Sequence, residues 1–548
     1  MAKYQEFKIP NWSHGYNSTL PPALLDKASL SFGSSNLRVM SRGFLRKRGG
    51  FHKALTDAGA AWNTYEECLG LFEFNDPGDK RTLVRLARDS ASTNIRMQWA
   101  AANLPTTLAN FTAFGTTIAS TATAGCYFQA ASYLGRLYLA CKAMTAPSYL
   151  AYAAGFTNNA LTTSGSARTM NKPTGIELWY DRLWVYCDES VESGSYLLWT
   201  DVAGTTFDLD ANYLYIPGDG PITGIKRLGS RLLVFKYRRV FILSGGEDPE
   251  NLLRIDEVPF SEKDGCVAPR SLVEAEGMVY FLGDKGFYRT DGNGVQRVSD
   301  NIFAEVSLVI KNKFSEVCVV HNKKQNELCW FLPVNNEDFL GLGWGNSPWG
   351  SYFWGGGTVV NIGMAFNYDI GVWSAPFSNQ PFDNVCVVTN EMTSTAMAEQ
   401  IIVVASNSGD EHLYIWDDGA VDDTDGMVAS LVTPPLDMNS QGTVKILRKA
   451  YARVSSYGGD DVPLNFIMNG YDEYGPVVSA TPKATAEFSQ DGGTESLPNS
   501  QQTRLDLSFG GKNPRIKFSD VLDASDDQEG GWNLDELCFL FSVKGQRA

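Results

Sequence analysis

"GCVAPRSLVEAEGMVYFLGDKGFYRTDG" occupies residues 265–292. Two short β-branched and aromatic runs, Met278–Gly283 and Gly286–Gly292, are separated by "GDKG", the punctuation of a tight hairpin. No nucleophile stands beside a base in this stretch. Whether it is one blade of a larger object depends on whether it recurs.

It does recur. "YLGRLYLAC" starts at Tyr133, "WYDRLWVYCDES" at Trp179, "RLGSRLLVFKYRRVFILSG" at Arg227 and "EAEGMVYFLGDKGFYRTDG" at Glu274. "HNKKQNELCWFLPV" follows at His321, "GMAFNYDIGVWSAPF" at Gly363 and "SNSGDEHLYIWDDG" at Ser406. Each joins a polar turn to an apolar strand, at a step of about 42 to 48 residues, which suits a four-stranded sheet with its connections. Such a sheet cannot bury both faces alone, and stacking copies around an axis solves the problem. The expected fold is therefore all-β, with a central β-propeller-like region over 61–430, an N-terminal arm over 1–60 and a C-terminal β-sandwich-like domain over 431–548. The step permits about six or seven blades. The tail is read from the Pro-bounded joint "VTPPLDMNS" and from strand-turn runs such as "RLDLSF". Helical spacing is confined to "DNIFAEVSLVIKNKF" (Asp300–Phe314), expected to form one or two turns.

Composition agrees with a turn-rich β-protein: 548 residues, 12% aromatic, 52 Gly and only 20% charged. A net charge of −16 argues against gripping nucleic acid by its phosphates, although an acidic wall would let DNA slide past. The 9 cysteines show no CxxC spacing and several lie in apolar runs, as expected of reduced core thiols in a chain made in a cytoplasm. The start "MAKYQEFKIPNW" has no apolar signal region, and no run reaches the roughly 18 apolar residues of a membrane span. A soluble protein without a recognisable export signal is expected.

Motifs of chemistry are sparse. The 4 histidines, His14, His52, His321 and His412, have no metal-ligand spacing. There is no nucleophile elbow and no phosphate loop. "GLGWGN" (Gly341–Asn346) lacks the last glycine of a dinucleotide loop. "DLDANYLYIPGDG" and "DDGAVDDTDG" (Asp417–Gly426) read as solvated turns rather than calcium loops. No catalytic residue, metal ligand or cofactor is expected, and the chain is read as a non-enzyme.

Two features stand out. "SRGFLRKRGGFHKAL" (Ser41–Leu55) is a basic cluster in an acidic chain, either a solvated turn or an assembly contact through Arg42, Arg46, Lys47 and Arg48. Reversing the charge of Arg46, Lys47 and Arg48 is expected to block assembly while leaving the propeller folded. Residues 335–362 form an aromatic, Gly-rich loop whose Trp344, Trp349, Tyr352, Phe353 and Trp354 suit a channel lining or a subunit contact, or else stacking on sugars or bases.

The layout then becomes familiar. "GYNSTLPPALLD" (Gly15–Asp26) and "SSNLRVMSRGFLRKRGGF" (Ser34–Phe51) resemble the start of the tail nozzle proteins of short-tailed bacteriophages, also called tail tubular protein B. In "KRGGF", Gly49 stands where that family more often has Pro. "IPGDGPITGIKRLGSRLLVFKYRRVFILSGGEDPENLLRI" (Ile216–Ile255), the "GFYRTDG" run and the closing "GWNLDELCFLFSVKG" (Gly531–Gly545) are similar to the same family. The resemblance implies a structural virion protein: a homohexameric tube below the head-to-tail adaptor and portal. Its lumen would pass genomic DNA without sequence-specific binding, and tail fibres or spikes would dock outside. It implies localisation in the virion tail after synthesis in the host cytoplasm. Two other classes stay open: a propeller glycosidase or lyase using paired carboxylates, and a carbohydrate receptor-binding module using the Trp loop.

Overall fold

The computed structural model describes residues 4–54, 65–75, 81–89, 94–100, 111–119, 126–152, 156–166, 168, 170–188, 194–202, 204, 206–335, 359–392, 396–405, 412–418, 422, 427–439, 443–457, 465–471, 482–489, 501–505, 508–520 and 531–544. Among them lie seven four-stranded antiparallel sheets whose innermost strands begin at Tyr65, Gln129, Pro173, Ile222, Val273, Cys318 and Phe382. Each innermost strand packs on the next, and Phe382–Met392 returns against Tyr65–Asn75 to close the ring. The chain is an all-β protein with a seven-bladed propeller at its centre.

The quoted stretch supplies three strands of the fifth blade, Val273–Ala275, Met278–Gly283 and Gly286–Thr290, with Val295–Arg297 as the fourth. Gly283 pairs with Gly286, so Asp284 and Lys285 form the two-residue turn. Second strands such as Arg231–Lys236, Met278–Gly283 and Glu327–Asn335 are buried along almost their whole length. Neighbouring blades cover both faces there, so continuous apolar runs replace the alternation of a half-exposed strand.

The recurring turn has a backbone cause. Leu134 and Gly135 (φ 48° and 67°), Tyr180 and Asp181 (48° and 55°), and Glu276 and Gly277 (50° and 70°) occupy the same place in three blades. Each pair is the two-residue loop between a first and a second strand. Left-handed dihedrals at both positions match the right-handed twist of the strands they join.

The seventh blade takes its outer strand from the other end of the chain. Phe382–Met392, Ala396–Ala405 and His412–Trp416 are completed by Phe51–Lys53, with Trp416 opposite Phe51. Among the described residues, the strands from Ser430 onward lie in two sheets. Ser430–Val432, Arg515–Asp520, Asn465–Tyr471 and Ala484–Ser489 make one. The long strands Lys445–Tyr457 and Gly531–Val543 anchor the other, which also takes Gln5–Ile9, Leu37–Val39 and Leu45–Lys47 from the N-terminal segment. Phe466 and Phe518 stack at 5.0 Å on one sheet, and Trp532 of the other meets them edge-on at 5.5 and 5.9 Å. Residues 4–54 of the segment read as an arm are thus woven into the last blade and the sandwich alike. One apolar core runs from Trp12 and Leu30 through Phe287, Trp330 and Trp373 of the fifth and sixth blades to Leu447 and Trp532.

The connector after Asp300 is short: a 3-10 turn, Asp300–Ile302, then the α-helix Phe303–Ser307. Its buried Glu305 accepts hydrogen bonds from Tyr16 (2.7 Å) and Ser18 (2.5 Å), tying the N-terminal segment to the propeller. Among the described residues no helix is long and apolar enough to cross a membrane.

Candidate functional site on the propeller axis

The innermost strands of a propeller run side by side along its axis, so side chains from distant sequence positions converge there. Near the strand starts the axis is spanned by Arg270, which follows Pro269 into the fifth blade. Its Nη2 donates to the Asp383 carbonyl (2.5 Å) and to Asn384 Oδ1 (2.7 Å) in the seventh blade. Its guanidinium also lies 5.8 Å from the ring centre of Tyr127, before the second blade. Asn384 in turn donates to the Cys68 carbonyl of the first blade at 2.6 Å. Tyr186 donates to the Thr223 carbonyl at 3.1 Å beside them. Burial pushes the Tyr127 and Tyr186 hydroxyls above the usual tyrosine range, so both stay protonated donors.

Arg270 also lines a cavity of about 370 Å³, together with Lys226, Glu274 and His321 and apolar groups that include Val385 and Val387. Lys226 pairs with Glu177 of the third blade at 3.4 Å. His321 Nε2 lies 3.2 Å from the Tyr368 hydroxyl. Burial, then the Lys323 cation, lowers the His321 pKa below its ordinary value against the pull of Glu274, Glu399 and Glu276. The imidazole is accordingly neutral at neutral pH. Such a cavity has the size of a small-molecule site. Its described lining carries one carboxylate, Glu274, whereas hydrolysis of a glycosidic bond by the usual route needs two facing each other.

The basic cluster of the N-terminal segment lies elsewhere, and its members point different ways. Arg42 is exposed. Arg46 is partly buried and donates to Asn533 Oδ1 at 2.8 Å. Lys47 is fully buried and pairs with Asp520 of the sandwich at 2.8 Å. Arg48 is fully buried and reaches both Asp422 oxygens, at 2.8 and 2.5 Å, and also Asn36 Oδ1 at 2.9 Å. Arg38 joins the cluster through Glu327 (3.0 Å) in the sixth blade and Asp417 beside the seventh. A docking patch made of all four predicted cations is therefore corrected: two of them are interior, because burial and carboxylates on other elements claim them. "DDGAVDDTDG" is corrected likewise, since its Asp417 and Asp422 hold Arg38 and Arg48 rather than water. Gly49 lets the chain pass this closely, because a Cβ there would sit 2.8 Å from the Asp417 carbonyl carbon. Sequence reading missed Asn36, Arg38, Glu327 and Arg270; "NLR" was visible, but nothing local marks the partner of a buried arginine. Trp344, Trp349, Tyr352, Phe353 and Trp354 lie outside the described residues.

Glu327 and Asp417 share Arg38, two carboxylates on a single guanidinium. Burial dominates at Glu327 and, with the Asp417 carboxylate, outweighs Arg38, pushing its pKa up from 4.5 to about 7. The folded protein thus keeps a proton that the unfolded chain gives up, so this contribution to stability is complete below 4.5 and is lost as pH rises through about 7. Glutamine imitates the protonated acid. The melting temperature of the wild type relative to Glu327→Gln should fall between about pH 5 and about pH 8. A gap that stays constant would mean that Arg38 holds Glu327 ionised throughout.

No family model matches the chain, and no curated protein matches it. Solved structures match in outline. The Dos1 propeller is 10% identical, with a TM-score of 0.36 over 70% of this chain and 96% of that one. Apo AztD from Citrobacter koseri is 10% identical, at 0.33 over 63% and 85%. A glycoside hydrolase family 43 arabinoxylan arabinofuranohydrolase from Bacillus subtilis is 8% identical, at 0.24 over 90% and 99%. At such identities and scores nothing about activity passes from them to this chain.

Proposed function

We propose that this propeller protein is a structural subunit of a short-tailed phage tail, a nozzle of the tail tubular protein B type. The observation that carries the reading is where the familiar motifs fall. Asn36, Arg38, Lys47 and Arg48 of "SSNLRVMSRGFLRKRGGF" are buried at the joints between segment, propeller and sandwich. Lys236 of "LLVFK" is buried between the third and fourth blades, donating to the Gly218 carbonyl at 2.8 Å and to Ser195 Oγ at 3.1 Å. "GWNLDELCFLFSV" is the long strand on which the N-terminal strands pair. The similarity thus includes the joints between segment, propeller and sandwich as well as propeller strands such as "LLVFK". The net charge of −16 suits a wall past which DNA must slide. In this reading six copies form a ring below the head-to-tail adaptor and portal, fibres or spikes dock outside, and the protein resides in the virion tail.

The size of the axial cavity alone supports a second reading, a carbohydrate-directed propeller with Glu274 in its site. Quantitative mass spectrometry of purified, DNA-filled particles separates the two. Half as many copies as of a twelve-fold portal is the expected result. Absence from particles overturns the nozzle reading, and turnover of a polysaccharide that is lost in Glu274→Gln would then establish the second.

A further inference from the structure

Nine thiols are described, and two of them stand apart from the rest. Cys126 lies just before the innermost strand of the second blade, and Cys141 directly follows that blade's second strand, Arg136–Ala140. The pairing of Gln129 with Ala140 brings the two together. Their sulfurs are 2.9 Å apart, about 0.9 Å longer than the roughly 2.05 Å of a covalent S–S bond. Three of the other cysteines face groups that cannot form such a bond. Cys266 faces the Ala268 carbonyl and Ser271, Cys538 faces Glu6, and Cys68 faces the Gly70 carbonyl.

We infer that Cys126 and Cys141 are a dithiol that closes to an intramolecular disulfide when the protein meets a peroxide oxidant. Cys126 is the one at the rim, 6% exposed against 0% for Cys141. Its thiolate attacks one peroxide oxygen and breaks the O–O bond, giving a sulfenic acid and hydroxide, which takes up the displaced proton as water. The Cys141 sulfur then attacks the Cys126 sulfur, forming the S–S bond and expelling the second oxygen as water. Two thiols and one hydrogen peroxide thus give one disulfide and two waters, the sulfurs losing two electrons and the peroxide gaining them. The neighbouring Cys126 thiol and burial both hold the Cys141 thiol protonated, so closure is slow at neutral pH and speeds up as pH rises. The bond would staple the lead-in of the second blade to its second strand. A chain assembled in a reducing compartment would acquire the staple only after leaving it.

The experiment uses the purified full-length chain, treated folded with hydrogen peroxide or with a phosphine reductant, alkylated and digested with trypsin without reduction. Arg136 lies between the two cysteines, so cleavage there leaves them on separate peptides unless they are bonded. A linked pair of peptides carrying Cys126 and Cys141 is expected after peroxide, absent after reductant, and absent from Cys141→Ser while retained in Cys386→Ser. Full alkylation of every cysteine after peroxide, or sulfinic acid on Cys126 without linkage, overturns the proposal. So does linkage that appears only when denaturant is present. If Cys141→Ser fails to fold, Cys126→Ser serves, since the hydroxyl it introduces lies nearer the surface.

Discussion

Arg48→Met is expected to lower stability by about 3–5 kcal/mol, the range for removing one partner of a buried ion pair. The guanidinium is fully buried and its partner Asp422 nearly so. Burial raises the pKa of Asp422, and Arg48 pulls it back down. Without the arginine, the carboxyl must take a proton or stand as an uncompensated charge. Asn36 Oδ1 and the Ser378 carbonyl lose a donor in the same step. The cost should show as a lower urea midpoint for the propeller transition. Adding Asp422→Leu should return much of the loss, because a matched apolar pair avoids the desolvation that a lone charge suffers. A single substitution costing less than about 1 kcal/mol, as exposed pairs do, would mean that the pair is solvated. The same burial undoes one expectation from the sequence. Reversing the charge of Arg46, Lys47 and Arg48 together would break two internal joints, so it cannot test docking on a folded propeller. Arg42, which is exposed, is the residue to reverse for that purpose.

A chain lacking residues 1–54 should not accumulate as soluble, folded protein. The deletion strips the closing strand Phe51–Lys53 from the seventh blade and three strands from one sheet of the sandwich. It leaves Asp422, Asp520, Glu327 and Glu305 buried without the cations and hydroxyls that face them. Supplying the segment as a separate chain should restore part of the soluble yield. It should also restore hydrogen-exchange protection to His412–Trp416, the strand it covers. A cooperatively folded 55–548 chain would show that neither ring nor sandwich depends on it.

The propeller was legible because its second strands are buried on both faces and its turns need residues that tolerate left-handed backbone. "YLGRLYLAC", "WYDRLWVYC", "RLGSRLLVF", "EAEGMVYFL" and "NELCWFL" fall on the turn and second strand of blades two to six. The other two recurrences fall elsewhere: "GMAFNYDIGVW" on the third and fourth strands of the sixth blade, and "HLYIW" on the third strand of the seventh. The first blade gave no recurrence, because Arg85 interrupts its second strand. That arginine is buried, donating to Gln98 Oε1 at 2.7 Å, and a charge in the run hides the apolar signal. The latch was illegible for a different reason. Arg48 and Asp422 are 374 positions apart, so "RKRGG" reads locally as a solvated turn or an assembly contact and "DDGAVDDTDG" as a solvated turn. The axial cavity is equally non-local, assembled from side chains of the innermost strands of the fourth to seventh blades and the lead-in to the fifth.

The pairing of the two chain ends also sets a schedule for biosynthesis. Glu6 meets Cys538, 532 positions later, so the strand Gln5–Ile9 leaves the ribosome long before its partner has been made. At roughly 5–20 residues per second, translation of the chain takes on the order of half a minute to two minutes. Phe51–Lys53 presents an unpaired edge until His412–Trp416 is made, and Gln5–Ile9 until Gly531–Val543 is, while blades accumulate behind them. Occupancy by chaperones during elongation should therefore concentrate on the nascent N-terminal segment, and release should follow only once the sandwich strand Gly531–Val543 has been made.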